Sequence, residues 1–161
     1  MKKLFLVRHA KSSRDNAQLA DFDRPLNDRG LRDAPFMGKL FAERKIRVDA
    51  IVSSPALRAK TTAECFAVEL KVGKMVFNGD IYDADTRTLL GIILQLDPTW
   101  NSVMMFGHNP GFSQIATLLT GETVEMPTCS IVEIELLFDQ WNMTSFGAGT
   151  LVSFDFPKKH A

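Results

Sequence analysis

Apolar residues fall along the chain in short runs that end abruptly in polar ones. Leu4–Val7 is closed by Arg8 and His9, Ala50–Val52 by Ser53-Ser54-Pro55, and Ser102–Phe106 by Gly107-His108-Asn109-Pro110-Gly111. Runs of this length bounded by turn residues read as buried strands ending in loops. Lys74–Phe77 is a weaker strand of the same kind. Between them the apolar spacing turns helical. Asn27 or Asp28 is placed to cap a helix carrying Leu31, Met37, Leu40 and Phe41, and Ala56–Leu70 is rich in good helix formers. Thr86–Leu96 repeats apolar residues at Leu89, Leu90, Ile93 and Leu96, and Phe112–Leu119 runs to a stop at Gly121. Lys11–Asn27 is polar and irregular. Beyond Gly121 the pattern changes to two strand-like segments, Ser130–Leu137 and Thr150–Phe156, around a turn-around containing Trp141, Gly147 and Gly149. Strands alternating with helices predict an α/β fold. The expected form is a three-layer α/β/α sandwich with a mainly parallel central sheet and an antiparallel edge strand. No repeat, linker or low-complexity stretch divides the chain, so residues 1–161 read as a single domain.

Composition narrows the classes of function. Lys+Arg and Asp+Glu both number 19, against 45% hydrophobic residues. Nucleic-acid and anionic-membrane binders carry a basic excess, so neither partner is expected. Cys65 and Cys129 form no CxxC pair and read as reduced core residues. Leu4–Val7 is far too short for a secretory h-region, and no stretch approaches a membrane span of about 20 apolar residues. A cytoplasmic protein is expected.

The chemistry collects at strand ends, where ligands of open α/β sheets bind. The first run is followed by Arg8, His9, Lys11 and Ser12, the second by Ser53, Ser54 and, one helical turn on, Arg58, and the fourth by His108 and Asn109. Arginine offers a permanently charged planar fork that matches phosphate oxygens. A neutral imidazole nitrogen can attack phosphorus, and a second histidine, if cationic, would stabilise charge on the equatorial oxygens. Such a site needs no metal or cofactor. Gly107 and Gly111 would allow close backbone approach around His108.

Four blocks carry a resemblance to a known family: Leu6-Val7-Arg8-His9-Ala10, Arg24-Pro25-Leu26-Asn27-x-x-Gly30, Ser53-Ser54-Pro55-x-x-Arg58-Ala59-x-x-Thr62 and Gly107-His108-Asn109-Pro110. They occur in the order found in the histidine phosphatase (phosphoglycerate-mutase-like) superfamily, with Ala10 where the Arg-His-Gly signature has glycine, a mild departure that keeps the residue small. The short length and the second and fourth blocks are most similar to the SixA branch of phosphohistidine phosphatases. The resemblance implies a metal-independent phosphohydrolase in which His9 becomes phosphorylated, Arg8 and Arg58 bind phosphate and His108 assists. Its substrate would be a phosphorylated protein (phosphohistidine) or a small phosphorylated molecule. Arg24 and Ser12 are further candidates for substrate contact, and Lys11 is a candidate phosphate contact.

Ester hydrolysis needs a general acid, because an alkoxide leaves poorly. In Gly79–Asp85 the best candidate is Asp83, with Asp80 and Asp85 as rivals, although Asp83 could equally cap the helix near Thr86. Phosphoramidates need little acid help, and SixA-like members characteristically lack the glutamate of larger relatives. Two alternatives stay open: a phosphomonoesterase on a small metabolite with Asp83 as acid, and a non-catalytic phosphoprotein-binding module. A cysteine phosphatase is excluded, because Lys71 and Glu135 stand where Cys-x5-Arg needs arginine. The three histidines show no zinc spacing and no P-loop is present. His160 is expected to be exposed and inert, and Trp141 and Phe146 to pack in the core or hairpin.

Overall fold

The apolar runs form a single six-stranded sheet. A computed structural model describes residues 1–161, with strands β1 (Lys3–Arg8), β2 (Ala50–Ser53), β3 (Met75–Phe77), β4 (Ser102–Gly107), β5 (Ile131–Leu136) and β6 (Gly149–Asp155). They lie in the order β3-β2-β4-β1-β5-β6. The first four are mutually parallel, whereas β5 pairs antiparallel with both β1 and β6. The long α-helices connect the strands: α1 (Asp28–Glu43), α2 (Leu57–Leu70), α3 (Thr86–Leu94) and α4 (Gly111–Thr120).

Why β1 and β4 read as unbroken apolar runs follows from their place between two helical layers. Alternate residues of β1 face opposite ways. Phe5 and Val7 join Met37 and Phe41 of α1 and Phe66 of α2 on one side, and Leu4 and Leu6 join Leu89, Ile93, Phe112 and Ile115 of α3 and α4 on the other. Phe5, Phe41, Phe66 and Phe106 are fully buried or nearly so, each contributing on the order of 1.5–3 kcal/mol of burial. Leu31, expected on the apolar stripe of α1, is 55% exposed. Its helical position turns it away from the layer that holds Met37 and Phe41.

Local signals set the helix starts. Asn27 caps α1, its side chain accepting the Gly30 N–H at 2.9 Å. Asp85 caps α3 by accepting from Thr88 N at 2.9 Å, so the capping role considered for Asp83 belongs to its neighbour. Trp141 is core, with Nε1 donating to Trp100 O at 2.8 Å, but Phe146 is 47% exposed, contrary to the packing expected of it. His160 is exposed, as expected, with Nε2 2.7 Å from Asp155 Oδ1 and its ring edge-on to Phe36. Both cysteines are free, and burial pushes the Cys129 thiol well above its ordinary value. No helix is long and apolar enough to cross a membrane.

The irregular stretch after β1 is pinned at its base. Ser12 and Leu26 form an isolated antiparallel bridge, Ser13 N donates to Pro25 O at 2.8 Å, and Asn27 N donates to Lys11 O at 3.0 Å. Gly30 is required here, because a Cβ on it would stand 2.1 Å from the Lys11 carbonyl oxygen. This explains the glycine three residues after Asn27.

Candidate active site

Parallel register brings the two histidines together. Arg8 pairs with Gly107 across β1 and β4, so His9 and His108 leave adjacent strands at the same level, with His9 N donating to Gly107 O at 3.0 Å. Their ring centroids are 5.2 Å apart. The next strand in the order, β2, pairs Ser53 with Phe106, which sets Ser54 beside His108, its Oγ 2.8 Å from Nε2. In the first turn of α2, Arg58 lines the same place. Thr62 ties the two walls, donating to Arg58 O at 2.7 Å and accepting the Ala10 N–H at 3.0 Å. Ala10 is fully buried, consistent with a position that accepts only a small residue. Gly107 and Gly111 give the close approach expected: a Cβ would fall 2.4 Å from the Phe112 ring and 2.3 Å from Ala84 O, respectively.

Every site residue expected from the sequence lines one pocket of about 370 Å³: Arg8, His9, Ser12, Arg24, Arg58, Asp83 and His108. Lys11 and Asn109 line it as well, and so do residues the sequence did not single out, namely Arg14, Asp21, Tyr82 and Thr128. No group of three or more His, Cys, Asp or Glu side chains converges in metal-binding geometry.

His9 sits at the floor. Its Nδ1 is 2.6 Å from Ala10 O, and a carbonyl only accepts, so the ring proton is on Nδ1 and Nε2 carries the lone pair. Burial, with smaller contributions from His108, Arg58 and Arg8, lowers its pKa to about 3. His108 is lowered to about 4, chiefly by burial and then by Arg58. The cationic His108 considered from sequence is therefore not the form held here, since low-dielectric surroundings and two guanidiniums disfavour a third positive charge. Ser54 Oγ accepts from Ala56 N at 3.2 Å and also contacts His108 Nε2, while His108 Nδ1 is a buried atom with no hydrogen-bond partner.

The arginines divide into two kinds. Arg8 Nη1 donates to Met126 O at 2.9 Å while its buried Nε finds no partner. Arg58 gives Nη1 to Asp21 O at 2.6 Å and Nη2 to Asp21 Oδ2 at 2.9 Å, and its buried Nε is likewise without a partner. Buried unpaired donors cost roughly 1–3 kcal/mol each, and two of them on one pocket mark an anion site. Arg24 is different. It is buried, and its donors are used on Asp21 Oδ1, Ser12 Oγ and Ser13 O at 2.7–3.1 Å. Both Arg24 and Ser12 thus line the pocket while bonded to each other.

Asp21 is the residue the sequence did not reveal. It lies in a 3-10 turn, Asp21–Asp23, inside the irregular stretch, and accepts from Arg58, Arg24 and the Tyr82 hydroxyl, the last at 2.6 Å. The Tyr82 hydrogen bond, followed by those from the two arginines, holds its carboxyl well below the usual carboxylate range. The one available signal was its place three residues before Arg24 in the Arg-Pro-Leu-Asn block. Tyr82 packs edge-on against Phe22 and His108. Asp83 is exposed on the same wall, in a left-handed conformation with φ 54°. Asp80 and Asp85, its rivals, do not line the pocket.

Comparison with known proteins agrees with this geometry. Residues 4–81, just under half of the chain, match the model of the histidine phosphatase superfamily (branch 1). The fold superposes on a chain assigned as the phosphohistidine phosphatase SixA of Agrobacterium tumefaciens, with 28% identity and a TM-score of 0.83 over 97% of this chain and 98% of that one. A protein histidine phosphatase SixA complexed with tungstate gives a TM-score of 0.85 at 23% identity, covering 99% of both chains. Among sequence relatives, an uncharacterized chloroplastic protein of Arabidopsis thaliana is 27% identical over 150 residues, 87% of this chain and 69% of its own. An uncharacterized protein of Mycobacterium leprae is 26% identical across 94% of this chain and all of its own length.

Proposed function

We propose that this chain, which matches the histidine phosphatase superfamily model over residues 4–81 and has a SixA-like fold, removes phosphoryl groups from protein phosphohistidine through a phosphorylated His9. The observation that carries this reading is the state of His9. Its proton is fixed on Nδ1 by Ala10 O, and the imidazole is neutral with pKa about 3. A lone pair on Nε2 is therefore available at any ordinary pH, without a general base to expose it.

In the proposed reaction Nε2 of His9 attacks phosphorus as the bond to the substrate nitrogen breaks. The departing imidazole takes its electron pair and a proton from solvent. Arg8 and Arg58 offer guanidinium N–H groups to the phosphoryl oxygens, with His108 lining the same pocket. These donors are fixed before substrate arrives, so little reorganisation accompanies charge development. Water then attacks phosphorus, the His9–phosphorus bond breaks, and inorganic phosphate leaves. His9 returns to its neutral Nδ1–H form.

The substrate class rests on the acidic and aromatic residues that line the pocket beside the cations. Asp21 is ionised and Asp83 is exposed, while the ring of Tyr82 supplies an aromatic face. A carboxylate held that far below its usual range cannot protonate an alkoxide, whereas an imidazole leaving group needs little acid help. One observation favours a second reading, phosphomonoester hydrolysis: Asp83 does line the pocket, where it could serve as acid.

The test is to incubate the protein with a phosphohistidine-bearing protein labelled in its phosphoryl group and quench in alkali and in acid. An alkali-stable, acid-labile label on wild type, missing from His9→Ala together with at least a 1,000-fold loss of turnover, is expected for a nucleophile. Full turnover by His9→Ala would end this reading.

A further inference from the structure

We propose that Asp21 is a positioning residue for Arg58, holding the guanidinium in the orientation that presents its remaining N–H groups to a phosphoryl group. The inference rests on the phosphatase reading of the same pocket and adds to it a residue from outside the strand ends.

Arg58 is gripped from one side only. The backbone carbonyl of Asp21 takes Nη1 at 2.6 Å and its carboxylate takes Nη2 at 2.9 Å, so one residue holds both terminal nitrogens. Two-point contact with a planar fork fixes the plane, which a single contact would leave free to rotate. Each terminal nitrogen so engaged keeps a second N–H, and Nε is buried without a partner. Arg8 repeats the arrangement with a different anchor, Met126 O on Nη1 and an unpartnered Nε.

Asp21 is itself braced. Arg24 contacts Oδ1 through Nε at 3.1 Å and Nη2 at 3.0 Å, and Tyr82 donates to Oδ2 at 2.6 Å. Tyr82 belongs to the segment after β3, whereas Asp21 belongs to the loop after β1. The carboxylate therefore ties two loops across the pocket mouth while it holds an arginine on α2. Phe22 against Tyr82, with ring centroids at 5.2 Å, seals the same junction.

A carboxylate in an anion pocket would be expected to repel the substrate. Here its charge is matched by Arg24 and Arg58, both buried, so the net field toward the floor remains positive. Its removal would give two opposite results on two accounts. If Asp21 only competed with phosphate for Arg58, the pocket without it would bind anions more tightly. If it positions Arg58, anion binding weakens although a negative charge has gone.

Inorganic phosphate binding, measured by calorimetry on wild type, Asp21→Ala, Arg58→Ala and the double variant, separates these. We expect Asp21→Ala to weaken binding about tenfold, the scale of one lost charge-assisted hydrogen bond, while adding less than twofold once Arg58 is gone. Asp21→Asn, which keeps an acceptor for Tyr82 and Arg58, should recover part of the loss with an unchanged melting temperature, and kcat should fall more than KM rises. Unchanged or tighter phosphate binding by Asp21→Ala, or losses that add fully in the double variant, would overturn the proposal. Because phosphate binding needs no turnover, the result stands apart from the phosphoenzyme test on His9.

Discussion

The floor of the pocket and its mouth are built by different means. At the floor, Arg8, His9 and His108 stand at the ends of adjacent parallel strands, and Arg58 in the first turn of a helix that starts from the third. Their spacing follows from backbone register, which cannot shift by one residue without turning every apolar side chain of β1 to the opposite layer. At the mouth, Asp21, Arg24 and Tyr82 come from loops and hold one another by hydrogen bonds and ion pairs. The floor is buried and has donors to spare. The mouth is half exposed, and its arginine is bonded to Asp21, Ser12 and Ser13.

This contrast can be broken most sharply by exchanging one arginine from each region. Arg58→Ala should cost 10²- to 10³-fold in kcat/KM, as expected for a fixed donor to the reacting group, while Arg24→Ala, whose donors end on Asp21, Ser12 and Ser13, should cost about tenfold. Steady-state rates on a phosphohistidine protein check both, and equal losses would erase the distinction.

A second comparison uses pH. His9 and His108, neutral in the fold with pKa values of about 3 and 4, have an ordinary value of 6.5. Between about pH 4 and 6.5 the unfolded chain therefore binds the extra protons, so their contribution is fully present above about pH 6.5 and fades as the pH falls. Each can add up to about 1.4 kcal/mol per pH unit to the slope. Urea unfolding from pH 7 to 4.5 should show a shallower decline in a His9→Asn/His108→Asn variant than in wild type. Parallel curves would show that neither imidazole is held neutral.

The smallest effect is expected at the rim. Asp83→Asn should leave phosphohistidine turnover within about twofold and lower p-nitrophenyl phosphate turnover by less than tenfold, acid catalysis being worth more only where the leaving group needs it. A large loss on the ester, dependent on pH, would favour the monoesterase reading.

What the sequence made legible follows the same line. The four strand-end residues stood out because apolar runs stop at them, and parallel pairing converts such stops into neighbours. Arg24 was visible as part of a block, but its buried, fully bonded state was not. Asp21 and Tyr82 lie in stretches without hydrophobic period, so nothing local reports that they meet across 61 positions of sequence. The protonation of His108 stayed open because burial and neighbouring guanidiniums are properties of the assembled pocket. Leu31 and Phe146 were misplaced for a simpler reason, since apolar character does not compel burial.

The neck of the loop after β1 has a consequence for how such a protein changes. Because the Ser12–Leu26 bridge and the bonds at Lys11 and Ser13 close the segment at its base, residues 14–20, ahead of Asp21, can be lengthened or exchanged while the strand they spring from stays in place. Doubling such a loop adds only about 0.6 kcal/mol of closure entropy. A grafted segment would reshape the rim of the pocket and leave its floor as it is.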